Sequence, residues 1–356
     1  MRPPTRVVAF YFGRQGRNLF GCFHEPLQRS IRRCAVLICQ PIGHEYINSH
    51  RALRQLAARL AEAGFPVLRF DYYGCGDSSG HSEEGSISLW MEDISTALAE
   101  LRTRAGLSKV YIVGLRLGGT LAAIAGTQSN DVEGLVLWDP VVNGKNHFQE
   151  MLSLQKEMLC FRPKPRRSFV AIARLLRKYS DRRSALAQRT LPYFSHNSRL
   201  LFSRRLSGLF LQRVRATTIA KLVRQVSGLS TVAACPPGLA RAQMPDGWHI
   251  DPPRCTHSQR HKEVLGFPVS RSLQSELEQL DLLTIAKCPA ANVLILENPQ
   301  LESGDALKDC LSATCARVEH QQLEAPQIWL PTADGSLLVP ATVLRSVVSW
   351  ICGAAS

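Results

Sequence analysis

The chain has 356 residues, of which 45% are apolar and 20% charged, the balance of a globular protein with a sizeable core and not of a disordered one. Its formal charge of +14 is unevenly placed: seventeen Lys or Arg residues lie between Arg162 and Arg224, with Asp181 as the only acid, while the remainder is close to neutral. Apolar runs such as Cys34 to Cys39 and Leu135 to Trp138 fall far short of the ~20 residues that cross a bilayer, so no transmembrane segment is expected. In chain order, Val7 to Tyr11, Leu19 to His24 and Cys34 to Cys39 read as strands separated by turn residues. Leu53, Leu56, Ala57 and Leu60 form one stripe and predict a helix from about Ser49 to Ala63, ended by Gly64. A short buried strand follows at Val67 to Phe70, then a Gly/Ser-rich loop from Gly74 to Gly80 and an amphipathic helix from Ile87 to Ala105. Val110 to Val113 reads as a strand, Leu117 to Thr127 as a small-residue helix and Leu135 to Trp138 as another strand. Strand and helix alternating at this spacing predict an α/β protein with a doubly wound, mostly parallel sheet.

From about Val141 to Leu283 the alternation gives way to basic helical stretches, Pro-Pro pairs and loops, which read as a large helical, basic, lid-like insertion. The rhythm resumes with a strand at Asn292 to Leu296, a helix near Gly304 to Cys310, a strand near Ala316 to Gln321 and a last helix from Ala341 to Cys352. The expected division is therefore core at 1–140, insertion at 141–285 and core again at 286–356. Trp90 and Trp138 are expected to pack in the core, and Arg69, inside a buried strand, is expected to pair with Asp71 on the same face.

Eleven cysteines occur without a CxxC pair, several of them inside apolar runs where a thiol acts as a small hydrophobe, so a reduced compartment is expected. The N-terminus carries no signal-peptide pattern, and a cytoplasmic protein is expected. Cys235, His249, Cys255, His257 and His261 have zinc-ligand chemistry but no recognised finger spacing; neither a metal nor a cofactor is expected. The basic segment Arg162–Arg224 is expected to be a solvated face, or else a surface for an acidic protein or an anionic membrane. Its few interleaved aromatics argue against nucleic acid.

Three stretches resemble the α/β-hydrolase superfamily, and within it the serine aminopeptidase S33 and monoacylglycerol-lipase-like branch. The first, Pro41-Ile42-Gly43-His44-Glu45-Tyr46, follows an apolar strand where that family has its oxyanion loop, with Ile42 and Gly43 at the key positions. The second, Asp71-Tyr72-Tyr73-Gly74-Cys75-Gly76-Asp77-Ser78, looks like the family's Asp-x-x-Gly-x-Gly-x-Ser loop. The third, Val113-Gly114-Leu115-Arg116-Leu117-Gly118-Gly119, is similar to the nucleophile elbow. Each is weak alone, and their order and spacing make the combined match specific.

At the elbow position the resemblance implies a serine, and the sequence has Arg116. A guanidinium stays protonated and has no lone pair with which to attack a carbonyl. The resemblance also implies an acid after the strand Asn292 to Leu296, where Glu297, Glu302 and Asp305 stand, and a histidine after the strand around Val318. Leu323 to Thr332 contains none, and His320 reads as a strand residue. Arg116, with the helix-starting Leu117 and Gly118, makes an anion-seeking spot. Its expected partner is an internal carboxylate, from among Glu45, Asp71, Asp77 and Asp139, or else an anionic small molecule, and the first functional expectation is a protein without serine-hydrolase catalysis that binds an anionic small molecule or a partner at the old active-site crevice. A second expectation is an active ester or thioester hydrolase or acyltransferase with a relocated nucleophile: Cys75, Ser78 or Ser79, served by His44 or His50. A third is an electrostatic binding protein that acts through the basic insertion.

Overall fold

The computed structural model describes residues 6–27, 32–129, 131–160, 261–300, 304–332 and 335–355. An eight-stranded sheet has the order β1-β2-β4-β3-β5-β6-β9-β10, with β1 at Val7–Arg14, β2 at Arg17–His24, β3 at Ala35–Cys39, β4 at Val67–Phe70, β5 at Val110–Leu115, β6 at Val132–Trp138, β9 at Asn292–Glu297 and β10 at Arg317–Gln322. β1, β2 and β4 pair antiparallel. From β4 onward the neighbours are parallel. A separate antiparallel hairpin joins β7, His261–Val264, to β8, Phe267–Ser270.

Strand alternation sends side chains to both faces, and both are covered. Along β3, Ala35, Leu37 and Cys39 enter one core cluster while Val36 and Ile38 enter the other. The first face is packed by α2 (Ile87–Ala105) and α3 (Leu117–Gln128), through Ile94, Leu98 and Leu121. The second is packed by α1 (Gly43–Glu62) and by the last helix of the chain, Ala341–Ala354, through Leu53, Leu56, Leu60, Leu344 and Val347. Trp90 and Trp138 are each 2% exposed, in opposite core clusters.

The structure corrects several expectations. α1 begins at Gly43 and not near Ser49, so the expected oxyanion loop is already helix, with Ile42 as its N-cap. The apolar stripe that marked the helix starts late because the first turns bury polar groups, Glu45 and Ser49, instead of leucines. Both ends of the expected insertion belong to the core. α4, Gly144–Cys160, and α5, Arg271–Glu278, contribute Phe148, Leu273 and Leu277 to the first cluster. The basic residues Arg162–Arg224 and Cys235, His249, Cys255 and His257 lie outside the described residues.

Arg69 does not pair with Asp71. β4 ends at Phe70, which breaks the alternation, and Arg69 Nε instead faces His24 Nε2 at 3.4 Å. Burial, then Arg69, lowers the His24 pKa to about 4, so the ring is neutral and can accept that bond. The cysteines are not all free: Cys288 and Cys315 form a disulfide with their Cα atoms 5.0 Å apart. They precede the neighbouring strands β9 and β10, a proximity that spacing in the sequence does not disclose. α6, Gly304–Ser312, links those strands, and the last helix is α7.

Candidate active-site crevice

β5 hands over to α3 through a single residue, Arg116, held at φ 52 and ψ −126. That region is costly for a side-chain-bearing residue, on the order of 1–3 kcal/mol, and the flanking glycines are what allow the turn. A Cβ on Gly118 would run into the carbonyls of Cys39 and Gln40, and one on Gly114 would run into the backbone of Gly119. The turn is fixed by Arg116 N–H donating to Trp138 O at 3.0 Å and by Gly119 N–H donating to Arg116 O at 2.9 Å. Leu117 and Gly118 head α3, so their N–H groups have no intrahelical acceptor.

The Arg116 side chain is lifted off the sheet and buried, 6% exposed. Its Nε donates to Glu45 Oε1 at 3.0 Å, and one terminal nitrogen donates to Glu150 Oε2 at 3.1 Å. The same nitrogen faces His147 Nδ1 at 3.2 Å. Because a guanidinium only donates, Nδ1 must be the acceptor, which places the proton of the neutral ring on Nε2. Trp329, in the segment after β10, lays its ring 4.9 Å from the guanidinium carbon. Burial opposes the charge on Arg116, but attraction to Glu45 and Glu150, with their hydrogen bonds, raises its pKa above the ordinary value. The guanidinium is thus a permanent cation shared by α1, α4 and the β10 segment.

Of the four carboxylates expected to serve Arg116, Glu45 reaches it, from the first turn of α1, where negative charge also suits the helix dipole. Asp71 is occupied by its own loop: Oδ1 accepts from Gln40 Nε2 at 2.6 Å and Tyr46 OH at 3.1 Å, and Oδ2 accepts from Asp77 N–H at 2.9 Å. The Asp77 side chain is exposed and makes no ion pair with Arg116. Asp139, at φ 43, accepts from Asn298 N–H at 2.7 Å; burial lifts its pKa to about 6, against that hydrogen bond and the attraction of Arg116. Sequence reasoning missed His147, Glu150 and Trp329. The first two stand one helical turn apart on α4, in a stretch that was read as insertion.

Of the relocated-nucleophile candidates, Ser78 and Ser79 have their hydroxyls hydrogen-bonded within their own loop and to β2. Burial pushes the Cys75 thiol up to about 12, helped by Asp71 and Asp93. Ser78 donates to Asp71 O at 2.6 Å and accepts from Phe20 N–H at 2.8 Å, while Ser79 donates to Asn18 O at 3.0 Å. His50 is exposed and stacks edge-on with Tyr46. Burial lowers the pKa of His44, which lines the Arg116 crevice. Among the described residues, none of Cys75, Ser78 and Ser79 is hydrogen-bonded to a histidine ring. His320 lies within β10, 3.3 Å from Glu297 Oε2 and 3.1 Å from Asp305 Oδ1. The backbone of His261 opens β7; among the described residues no cluster of three or more His, Cys, Asp or Glu could hold a metal ion.

Together these elements frame a crevice of about 300 Å³ lined by His44, Glu45, Arg116, His147, Glu150 and Trp329, among others. A parallel sheet wrapped by helices, with a strained residue between a central strand and its helix, defines an α/β-hydrolase fold. The chain belongs to the serine aminopeptidase S33 family, which it matches over residues 35–232. It is similar to proline iminopeptidases from Clostridioides difficile, 36% identical over 66 residues (18% of this chain, 21% of that protein), and Lactobacillus delbrueckii subsp. lactis, 27% over 111 residues (31% and 38%). It also matches the mitochondrial palmitoyl-protein thioesterase ABHD10 of Homo sapiens, 35% over 83 residues (22% and 26%). The matched part thus spans well under half the length of each relative. Among solved structures, Est1E from Butyrivibrio proteoclasticus with bound ferulic acid gives a TM-score of 0.54 at 13% identity, covering 97% of this chain and 99% of that one. The proline iminopeptidase of Mycobacterium smegmatis gives 0.51 at 13%, covering 98% and 99%. These likenesses show the fold alone.

Proposed function

We propose that Arg116 occupies the place of the family's nucleophilic serine, and that the chain is a non-hydrolytic member whose old active-site crevice serves binding. The observation that carries this reading is the elbow side chain itself, a guanidinium held between Glu45 and Glu150. It has no electron pair to donate to a carbonyl carbon, and its two carboxylates leave it no tendency to lose a proton. Support also comes from the segment after β10, where the family resemblance implies a histidine and Trp329 stacks on Arg116.

Two occupants were expected for the arginine. Glu45 and Glu150 fill the positions that an anionic ligand would take, which favours internal closure over an anionic small molecule. A relocated nucleophile draws no support from a Cys75 thiol pushed to about 12 or a Ser78 hydroxyl already donated to Asp71 O. The test is labelling of the full chain with a fluorophosphonate probe, beside an active serine hydrolase as control. No labelling is expected; a labelled serine in the crevice would refute the proposal.

A further inference from the structure

Two arginines are buried among the described residues, Arg116 at 6% exposed and Arg69 at 7%, and they are held in opposite ways. Arg116 sits between two carboxylates. Arg69 has none at ion-pair distance among the described residues; burial lowers its pKa, and attraction to Asp71 does not offset this. Asp71 has its oxygens taken by Gln40, Tyr46 and the Asp77 N–H. Arg69 Nε is spent on His24, whereas its two terminal nitrogens have no hydrogen-bond partner in the described chain and are not sealed from solvent. A desolvated charge without a counter-charge is costly, and here the donors that a counter-ion would use can be reached from outside.

The surroundings add a second cation. The register puts Arg69 between Cys22 of β2 and Ile38 of β3, on the face that α1 covers. Tyr46, His50 and Arg54 recur every four residues along α1 and so share one edge of that helix. That edge lies near Arg69: Tyr46 and Arg54 both act on its charge. Burial, then Arg69, lowers the pKa of His50, and Arg54 adds to this against Asp71 and Asp77. Arg54 is exposed and, like Arg69, is in no ion pair among the described residues.

We propose that Arg69 and Arg54 form a phosphate-binding site: oxygens of the phosphate group accept from the terminal nitrogens of Arg69, and its second negative charge faces Arg54. The planar donor fork of a guanidinium suits such an oxyanion, and a phosphate dianion, unlike a carboxylate, has charge for both cations. Neither arginine lines the Arg116 crevice, so the site stands apart from any reading of that crevice.

The test is calorimetric titration and thermal unfolding of the full chain with inorganic phosphate, phenyl phosphate and acetate, at matched ionic strength and about pH 7.5, where phosphate is mostly a dianion. Phosphate should saturate, raise the Tm and bind at least tenfold more tightly than acetate. The tighter of the two phosphates tells a free ion from a monoester as the occupant. Arg69→Met should abolish the phosphate-induced rise in Tm, and Arg69→Lys, which keeps the charge but loses the fork, should weaken binding. Arg54→Gln, a surface change that leaves the core intact, should weaken phosphate several-fold. Acetate binding as tightly as phosphate, or no saturation by either phosphate below about 10 mM, would overturn the proposal. So would phosphate binding indifferent to these substitutions, which would place the anion elsewhere, since Arg162–Arg224 is unchanged in all three variants.

Discussion

Replacing Arg116 by Met keeps the length and much of the volume of the side chain but removes the cation from Glu45, which is 3% exposed. Breaking a buried pair by deleting one partner costs about 3–5 kcal/mol, because the other charge stays desolvated. Glu150 adds little to that figure: its side chain is 60% exposed and can turn to water. The backbone strain at φ 52 is common to both residues and cancels. For a core of this size, each kcal/mol moves the midpoint by roughly 2 °C, so Arg116→Met should lower the Tm by roughly 6–10 °C. Glu45→Gln in the same background should recover at least half of that loss, since an amide needs no counter-charge, and the cycle should give a coupling energy above about 1.5 kcal/mol. The assay is urea and thermal unfolding of wild type, both single variants and the double variant. A loss below about 1 kcal/mol, or a double variant no better than Arg116→Met, would refute the buried ion pair as the centre of the site.

Asp139, lifted from 3.8 to about 6 by burial, holds its proton in the folded chain between those values, so its contribution to stability is full below pH 3.8 and is lost as pH rises through 6. That loss is about 3 kcal/mol at neutral pH, at 1.36 kcal/mol per unit, and Asp139→Asn, which can still accept from Asn298 N–H, should remove this slope in pH-dependent unfolding. His24 has the opposite sign: its pKa is lowered to about 4, so its contribution is full above pH 6.5 and is lost as pH falls through 4, a slope His24→Gln should erase. Cys75 should resist iodoacetamide in the native chain at pH 8 and react on unfolding, which mass spectrometry of the labelled peptide would show. Gly118→Ala should destabilise by about 2–4 kcal/mol, measured by denaturant titration, because its Cβ meets the carbonyls of Cys39 and Gln40. Retention of the full chain on an anionic resin should fall steeply with salt if Arg162–Arg224 drives it, and a salt-independent profile would remove that segment as an electrostatic surface.

The sheet was legible because alternation of short apolar runs with amphipathic helices is a local signal. The elbow was legible because its glycines mark backbone that no other residue tolerates. Glu45 entered the candidate set through its place directly after β3. Asp71 failed as a partner for a reason that spacing cannot show: Gln40, Tyr46 and the Asp77 amide all converge on it. His147, Glu150 and Trp329 were not found, since each meets Arg116 across a long stretch of chain and belongs to a segment with no glycine-rich or periodic mark. The start of α1 was missed for a related reason, because its first turns bury Glu45 and Ser49 against the site and so lack the apolar stripe that announces a helix.

The strained conformation at residue 116 makes sense only if it still accomplishes something. An elbow lifts one side chain clear of a parallel sheet, to a point that α1, α4 and the segment after β10 can all approach. Here that point is used by a planar cation with several directed donors: Nε meets α1 at Glu45, a terminal nitrogen meets α4 at His147 and Glu150, and the face of the group meets Trp329. A lysine could supply the charge but not the fork and the stacking face together, so Arg116→Lys should keep the pairing with Glu45 and loosen α4. The same geometry that would present a nucleophile to a substrate is thus suited to tying three distant parts of the chain to one another. That is a physical reason for the turn at residue 116 to persist, strain included, independent of any reaction in the crevice.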